Sequence, residues 1–299
     1  MKRIIITLIM SVFLLTGLRS EAKNQALLIG IGNYNTTTTG WPVISGNQDI
    51  DLLKPKLEAH GFTVTSLTDN QATKKNVVST IKKLISSTSK GDNVYLHFSG
   101  HGQLVEDVNN DEAEDFDQSF ICYDACFSPS FKGYKGQNHL IDDELFPLIN
   151  QLKAQVGATG LVTVIFDSCY SGGADRGEYE DDPDPDSEVE WTEFTRGTGD
   201  EFQVNKNATS YLRSIKKPGE YTKGGGLVTV ISACQPDKRN FECRDRRSGK
   251  HYGSLSFCIS KMLDANIPMN QWYEYFANKT FRKLKVFRPS QHPVAERHN

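Results

Sequence analysis

The sequence lacks the short motifs that mark several large enzyme classes. It contains no Gly-x-Ser-x-Gly elbow, no Cys-x-x-Cys pair, no phosphate-binding loop and no Gly-x-Gly-x-x-Gly after a predicted strand. Serine hydrolases built on a nucleophile elbow, dithiol redox proteins and nucleotide-binding folds are therefore disfavoured. The net charge is also small, −3 over 299 residues, so the composition indicates no nucleic acid partner.

Cysteine is scarce as well. Six cysteines in 299 residues do not make a dense disulfide framework. Cys122 and Cys126 are candidates for a pair in an oxidising compartment, and the sequence alone does not decide which cysteines are joined.

Long hydrophobic runs are missing after the first residues. Residues 1–3 are a short positive start, residues 4–18 are apolar, and Ser20-Glu21-Ala22 offers a small-x-small cleavage site, which is typical of a secretory signal peptide. The apolar block is shorter than the ~20 residues that a membrane span needs. We therefore predict a signal peptide over residues 1–22, a mature domain over residues 23–299 without a membrane span, and export to the periplasm or the extracellular space.

What the mature region does contain is an alternation of apolar strands and amphipathic helices. Strands are predicted over residues 25–31, 62–67, 93–98, 118–122, 160–166 and 226–231, and helices over residues 49–60, 73–85, 255–263 and 271–286 and from Asp142 onward. Strands that are apolar throughout are typical of a mostly parallel central sheet with helices on both faces. Residues 174–225 break this pattern with an acidic, proline-containing run, which predicts an exposed, flexible insertion.

Chemistry-bearing residues follow two of the apolar strands. His101 comes after the strand over residues 93–98, and Cys169 comes after the strand over residues 160–166. If these strands are neighbours, both side chains reach the carboxyl edge of the sheet, where ligands bind in such folds. A thiol beside an imidazole is a nucleophile with its base, and the N–H groups of Gly102 and Cys169 are candidates for an oxyanion hole. The alternative is a buried packing cysteine and an unrelated loop histidine.

Two motifs carry a resemblance to a known family. HFSGHG, residues 97–102, and DSCYSG, residues 167–172, resemble the paired histidine and cysteine motifs of the caspase-like cysteine peptidases, and the metacaspase branch is the nearest match. The segments ALLIGIGNY, LIDDELF, VISACQPDKRNFE, YGSLSFCISKML and SQHPVAE extend the resemblance over most of the mature chain. The resemblance implies a caspase-like three-layer α/β sandwich.

The resemblance also implies residue roles. Cys169 matches the nucleophile and His101 the general acid/base, while Asp167 and Asp49 match the carboxylates that bind a substrate arginine or lysine. Asp51 is close enough to Asp49 to leave the second assignment open. Two departures from the metacaspase pattern stand out: Tyr170 follows the cysteine where the family has histidine, and the segment around Asp49 reads GNQDI.

A calcium site is implied in the same way. Many metacaspases are activated by calcium through aspartates, and Asp117, Asp142 and Asp143 match such positions, with Asp175 close to a fourth. Oxygen ligands alone suit calcium. The alternative is a solvated acidic loop next to a capped helix. No cofactor is expected for the chemistry itself.

The function predicted from the sequence is an exported cysteine endopeptidase that cleaves polypeptides after arginine or lysine, with calcium as an activator. Basic residues between Arg196 and Lys223, beside the acidic run, are expected sites of self-cleavage. Cys234 is expected to be structural or to line the substrate groove. The alternative function is a catalytically silent caspase-like protein that binds peptides or acts as a scaffold. The oligomeric state stays open.

Overall fold

The computed structural model describes residues 21–106, 116–128, 134–169, 187–197, 224–235 and 238–299. Residues 1–20, which hold most of the predicted signal peptide, lie outside the described residues. Among the helices described, none is long and apolar enough to cross a bilayer.

A six-stranded sheet forms the centre of the molecule. Its strands follow the order β12-β9-β7-β3-β1-β2. The strands are β1 (Asn24–Gly30), β2 (Phe62–Thr68), β3 (Asn93–Ser99), β7 (Leu161–Asp167), β9 (Leu227–Ser232) and β12 (Val294–His298). Five of them run parallel, and β12 is antiparallel to β9. This arrangement confirms the mostly parallel sheet predicted from the apolar strands.

Helices cover both faces of this sheet. They are α1 (Thr36–Thr39), α2 (Gly46–Ala59), α3 (Lys74–Ser87), α4 (Asp142–Val156), α5 (Ser254–Asp264) and α6 (Trp272–Ala277). Alternate residues of β1 separate two cores: Leu27 and Ile29 pack with α3 and α4, whereas Ala26 and Leu28 pack with α2, α5 and α6. The result is the three-layer α/β sandwich that the resemblance implied.

Two small sheets stand beside the central one. The first contains β4 (Gly102–Glu106), β5 (Phe116–Ile121) and β6 (His139–Ile141), in that order. The second has the order β11-β10-β8 and contains β8 (Val189–Thr195), β10 (Phe241–Asp245) and β11 (His251–Gly253). Most of these strands are too short to give a clear pattern in the sequence.

The structure differs from the sequence predictions in two segments. The helix predicted over residues 271–286 is broken: α6 ends at Ala277, Lys279 has a positive φ of 55°, and a 3₁₀-helix follows over Thr280–Leu284. The second segment lies inside the insertion predicted over residues 174–225, where Val189–Thr195 forms strand β8. Residues 187–197 and 224–225 of this insertion are described, and the others lie outside the described part of the chain.

Candidate active site

The sheet register brings the two predicted catalytic residues to one edge. β3 and β7 are neighbours, and Ser99 at the end of β3 pairs with Asp167 at the end of β7. His101 and Cys169 each follow two residues beyond this pair. Parallel strands therefore deliver both residues to the carboxyl edge of the sheet, and both are buried with 0% exposure.

His101 is held in one orientation by aromatic and backbone contacts. Its ring stacks on Trp41 with the centroids 5.0 Å apart, and its Nε2 lies 3.0 Å from the carbonyl oxygen of Pro42. Its backbone N–H donates to the Tyr34 hydroxyl at 3.1 Å. Because a carbonyl only accepts, Nε2 carries the proton, and Nδ1 is left with a lone pair. Among the described residues, none forms a hydrogen bond with Nδ1.

The electrostatic state of His101 follows from its burial. Desolvation lowers its pKa to about 4, against the opposing effect of the Pro42 carbonyl and of the Arg196 backbone beside the ring. The imidazole is therefore neutral at physiological pH in this arrangement. A neutral imidazole with a bare Nδ1 is able to accept a proton, as a general base must.

Around Cys169, two backbone N–H groups meet at a single oxygen. The N–H of Gly102 and the N–H of Cys169 both donate to the carbonyl oxygen of Arg196, at 3.0 and 3.3 Å. The Cys169 thiol donates instead to the carbonyl oxygen of Lys238 at 3.0 Å. These N–H groups are the two named in the sequence analysis as oxyanion donors, and an acyl oxygen lies between them.

The side chain of Arg196 fills a pocket next to this point. Nη1 lies 2.8 Å from Asp49 Oδ2 and 3.5 Å from Asp167 Oδ1, and Nη2 lies 2.9 Å from Glu242 Oε1. Nε also donates to Glu242 at 3.2 Å, and Nη1 donates to the Ser99 hydroxyl at 2.5 Å. The guanidinium is completely buried. The pocket thus binds a planar cation through three carboxylates.

The N-terminus of α5 supports two of these carboxylates. Asp49 accepts from the N–H of Gly253 at 3.0 Å, and Asp167 accepts from the N–H of Ser256 at 2.7 Å. These N–H groups have no partner within the helix, and the helix dipole favours negative charge at this end. Carboxylates placed here therefore stay buried at a lower cost than elsewhere.

Side chains behind the pocket fix the orientation of Asp167. The Asn240 amide donates to Asp167 Oδ1 at 2.7 Å, and Gln291 Nε2 donates to Asn240 Oδ1 at 2.8 Å. On the other side the Ser256 hydroxyl donates to Asp167 Oδ2 at 2.6 Å and lies 3.0 Å from His97 Nε2. Since this hydroxyl donates to Asp167, it accepts from His97. Both oxygens of Asp167 are thereby held in place.

Burial has unequal consequences for the two aspartates. Desolvation raises the pKa of Asp49 to about 7, although Arg196 and Ser99 oppose the rise. Burial would also raise the pKa of Asp167, but Arg196 and the hydrogen bonds from Ser256 and Asn240 outweigh it and hold that pKa below its usual value. Asp167 is therefore ionised, while the charge of Asp49 depends on the cation beside it.

The structure places Asp49, not Asp51, in this pocket, since Asp51 is exposed. Three further contributors were missed from the sequence: Glu242, Arg196 and Gly253. A Cβ atom on Gly253 would overlap Asp167 Oδ2 and lie 2.5 Å from Arg196 Nη1, so the glycine leaves room for the guanidinium. The only sequence signal for Glu242 was a charged residue between the apolar Phe241 and Cys243.

The predicted calcium ligands form a separate cluster. Asp117 on β5 and the first two residues of α4, Asp142 and Asp143, are buried, and each offers an oxygen such that these atoms lie within 4.8 Å of one another. Carboxylates at this distance repel each other unless a cation or protons neutralise them, and an all-oxygen set suits calcium. Asp175, the fourth residue predicted, lies outside the described residues.

The remaining cysteines are also accounted for. All six lie in described residues and none forms a disulfide, so Cys122 and Cys126 are not joined. Cys234 is buried at the end of the segment that follows β9, with its sulfur 3.9 Å from the carbonyl oxygen of Ser168. It therefore packs behind the segment that carries Cys169.

Fold and site together define a class: an α/β sandwich with a histidine and a cysteine at the carboxyl edge of the sheet, which is the arrangement of a cysteine-type peptidase. Comparison with known proteins identifies the family. The family described as "Caspase domain" matches residues 23–299, and the chain belongs to it.

Curated relatives that the chain resembles include metacaspases of fungi. Metacaspase-1B of Aspergillus oryzae is 31% identical over 292 residues, which cover 88% of this chain and 65% of that protein. Metacaspase-1B of Aspergillus fumigatus is 33% identical over 236 residues, covering 75% and 51%. Metacaspase-1 of Schizosaccharomyces pombe is 29% identical over 163 residues, covering 52% and 35%. The chain thus spans only part of the length of each relative.

A solved structure supports the fold. The crystal structure of protein GSU0716 from Geobacter sulfurreducens matches with a TM-score of 0.63 at 21% identity and covers 93% of this chain and 94% of that one. At this level of identity the likeness concerns the fold.

Proposed function

We propose that this chain is an exported cysteine endopeptidase that cleaves polypeptides after arginine or lysine. One observation carries the proposal: Arg196 binds three buried carboxylates with its side chain while its carbonyl oxygen accepts from the Gly102 and Cys169 N–H groups. A basic residue in this pocket therefore has its carbonyl group at Cys169. An acidic pocket of this kind favours arginine and lysine over neutral or acidic residues.

The chemistry follows from the positions of these groups. The Cys169 sulfur, after losing its proton to His101 Nδ1, attacks the carbonyl carbon and forms a C–S bond, and the carbonyl electrons move to the oxygen between the two N–H donors. Collapse of this intermediate breaks the C–N bond, and His101 gives its proton to the leaving amine. Water then hydrolyses the thioester and restores the thiol.

The direct test is a set of fluorogenic peptides that differ only in the residue before the cleaved bond. We expect hydrolysis after arginine and lysine, little after aspartate, and none in a Cys169→Ala variant. A Cys234→Ala variant is the matched cysteine control and should stay active. Preference for aspartate, or activity that depends on Cys234 instead of Cys169, would contradict the proposal.

Self-cleavage is part of the same proposal. Arg196–Gly197 is the bond that lies at the nucleophile, and further basic residues follow up to Lys223. We expect fragments of the purified enzyme to end at Arg196 or at these later residues, as measured by intact-mass and peptide mass spectrometry. The same fragments in Cys169→Ala protein would assign the cuts to a contaminating protease.

We also propose that calcium activates the enzyme through Asp117, Asp142 and Asp143. Asp117 lies opposite Val105 on β4, the strand whose first residue is Gly102. A cation held by β5 and α4 would therefore stabilise the small sheet whose strand β4 supplies the Gly102 N–H, an oxyanion donor. Calorimetric titration with Ca²⁺ should detect binding that is lost in Asp117→Asn, and Mg²⁺ should compete weakly. Equal binding by the variant would overturn the assignment.

A further inference from the structure

A second buried histidine lies behind the carboxylate pocket. His97 is on β3, and its ring contacts α5 through Ser256. It is completely buried, and burial lowers its pKa to about 4 although Asp167 opposes the fall. At physiological pH the ring is therefore neutral, so one of its nitrogens donates a hydrogen bond and the other accepts one. The chemistry proposed above does not use this histidine.

Four buried side chains form a continuous series of hydrogen bonds, here called the His97 network: Tyr95, His97, Ser256 and Asp167. The Tyr95 hydroxyl lies 2.9 Å from His97 Nδ1, and His97 Nε2 lies 3.0 Å from the Ser256 hydroxyl. That hydroxyl donates to Asp167 Oδ2 at 2.6 Å. The network therefore connects the interior of the protein with a carboxylate that lines the pocket.

The carboxylate determines the direction of every hydrogen bond in the His97 network. An ionised Asp167 only accepts, so the Ser256 hydroxyl donates to it and accepts from His97 Nε2–H. His97 Nδ1 consequently bears no proton and accepts from the Tyr95 hydroxyl. Hydrogen bonds aligned in one direction polarise one another, so each donor strengthens the next. The combined effect acts on Asp167 Oδ2.

These hydrogen bonds matter most when the pocket holds no guanidinium. Burial raises the pKa of Asp167, but Arg196 and the hydrogen bonds from Ser256 and Asn240 outweigh this effect. Before a basic side chain binds, only the hydrogen bonds oppose burial. The ionisation of Asp167 in the empty pocket therefore depends on how well these donors are held.

Other ionisable groups of the described residues also lie near Asp167 or the guanidinium beside it: Asp49 on α2, Tyr95 and His97 on β3, Glu242 and Cys243 on β10, and Cys258 on α5. Burial keeps the tyrosine, the imidazole and the two thiols neutral at physiological pH. The two carboxyl groups bring negative charge or none. None of these groups supplies a positive charge in place of the missing cation.

We propose that His97 is a positioning residue for substrate binding: through Ser256 it holds the carboxylate of Asp167 in the orientation and charge that bind an arginine or lysine side chain. The inference rests on the proposed function, because it requires that this pocket bind substrate side chains. Asp49 and Asp167 then differ in role. The charge of Asp49 changes near pH 7, whereas the His97 network keeps Asp167 charged at lower pH.

The experiment compares pH profiles for one arginyl peptide in the wild type, His97→Leu and His97→Gln. Leucine has no donor, whereas glutamine keeps an N–H group near the position of Nε2. With a weaker hydrogen bond, Asp167 should ionise only at higher pH. In His97→Leu we expect kcat/KM to fall about tenfold at pH 6 and less than about threefold at pH 8.5, mainly through KM, because binding is affected and the dyad is not. His97→Gln should recover most of the loss at pH 6.

Two further variants test whether His97 acts through the network. Ser256→Ala removes the hydroxyl between His97 and Asp167, so adding His97→Leu to it should cause no further loss at pH 6. Additive losses would contradict a role through Ser256. Tyr95→Phe removes one oxygen and keeps the ring that packs against Phe62 and Trp272, so it should fold even if a leucine at position 97 is not tolerated. It should lower kcat/KM at pH 6 about two- to threefold, and an unchanged profile would contradict the proposal.

His139→Leu is the matched control. His139 is also buried, with Nδ1 2.9 Å from the Tyr134 hydroxyl, but its Nε2 lies 3.0 Å from Gln103 and not beside the pocket. This variant should lower the melting temperature without a loss specific to acid pH. Equal losses at pH 6 and 8.5 in His97→Leu, or the same acid-specific loss in both leucine variants, would reduce His97 to a structural role and leave the proposed function intact. A wild type that hydrolyses no arginyl peptide would overturn the proposed function and this inference together.

Discussion

At the residue scale, the pocket holds more negative than positive charge. Asp49, Asp167 and Glu242 face one guanidinium, and all four groups are buried. Desolvation makes such a site costly, and removing one partner of a buried pair typically costs about 3–5 kcal/mol. The N–H groups at the start of α5 and the donors on Ser45, 2.7 and 2.9 Å from Glu242, offset part of this cost. The pocket therefore selects strongly for a cation.

The raised pKa of Asp49 leads to a pH prediction. Burial raises the pKa of its carboxyl group to about 7 although Arg196 lowers it, so the carboxyl group gains charge as the pH rises through this range and above it when the pocket holds no cation. Since an arginine substrate needs the charged form, kcat/KM for arginyl peptides should fall as the pH is lowered from 8 to 6, approaching about tenfold per unit. The measurement is a pH profile of kcat/KM with one arginyl peptide.

His101 and Cys169 also titrate, so the assignment needs a variant. In Asp49→Asn the absolute kcat/KM should be lower and the acid limb due to residue 49 should vanish. An acid limb that persists unchanged in this variant would assign the titration to another group.

Glu242 is expected to distinguish arginine from lysine. It accepts from Nε and Nη2 of the guanidinium, positions at which a lysine has no nitrogen. In Glu242→Gln we expect kcat/KM to fall roughly 10- to 100-fold for arginyl peptides, the equivalent of about 1.5–3 kcal/mol for a hydrogen bond to a charged group, and less for lysyl peptides.

The measured quantity is the ratio of kcat/KM for the arginyl and lysyl members of one peptide pair. Glu274→Gln is the matched control, because Glu274 forms an ion pair with Arg297 on the surface. An arginine-to-lysine ratio that does not change in Glu242→Gln would exclude this role.

At the scale of the element, the first turn of α5 closes the pocket. Gly253 precedes the helix with φ −64° and ψ 138°, a conformation that alanine adopts without strain. Gly253→Ala should therefore keep its backbone conformation, but its methyl group would overlap Asp167 Oδ2 and occupy the space of the guanidinium. We expect kcat/KM for arginyl peptides to fall roughly 10- to 100-fold, as an overpacking cost of about 1–3 kcal/mol implies.

Circular dichroism melting shows whether the loss of activity comes from a blocked pocket or from a destabilised fold. A melting temperature close to that of the wild type together with low activity would support a blocked pocket. Full activity in Gly253→Ala would mean that the methyl group does not meet the substrate.

Elements with a clear local pattern could be predicted from the sequence. The strands of the central sheet are apolar because both faces are covered, and α3 and α5 show helical periodicity. The break after α6 has a tertiary cause: Phe276 stacks on Phe281 with centroids 5.1 Å apart, and Phe281 contacts Phe287 at 5.2 Å. Residues five apart lie about 140° apart around an α-helix, so a continuous helix could not bring these rings together.

The residues of the candidate site also fall into two groups: those that the sequence predicts and those that only the fold brings together. His101 and Cys169 could be predicted because each follows an apolar strand, and the resemblance supplied Asp49 and Asp167. Glu242 and Arg196 could not, because they are 46 residues apart and meet only when β8 pairs with β10. Strand β8 was not predicted, because the segment around it is acidic.

At the scale of the whole molecule, the active site is assembled from distant parts of the chain. Tyr34 accepts a hydrogen bond from the His101 backbone, and Gln291 donates one to Asn240 behind the pocket. Ser99 at the end of β3, Asp167 at the end of β7 and Glu242 on β10 contact Arg196, which follows β8. Residues 187–197 link these parts, because β8 completes a small sheet while Arg196 fills the pocket. Occupation of the pocket is thus coupled to the stability of the fold, and an arginine ligand that fills the pocket of Arg196→Ala should stabilise that variant.

The same coupling predicts which thiols react. Cysteine modification requires exposure and thiolate character, and Cys126 is the one cysteine of the six that is not fully buried. Burial raises the pKa of Cys122, Cys243 and Cys258 well above the usual value.

With Arg196 seated, Cys169 is also buried. Limited iodoacetamide treatment followed by peptide mass spectrometry should therefore label Cys126 first in the wild type. In Arg196→Ala, Cys169 should label at least about tenfold faster while the three buried cysteines stay unchanged, since displacement of a tethered ligand exposes only the site it occupied. Rapid labelling of Cys169 in the wild type would mean that Arg196 leaves the pocket in solution, and equal acceleration at all six cysteines would mean that the variant has lost its fold.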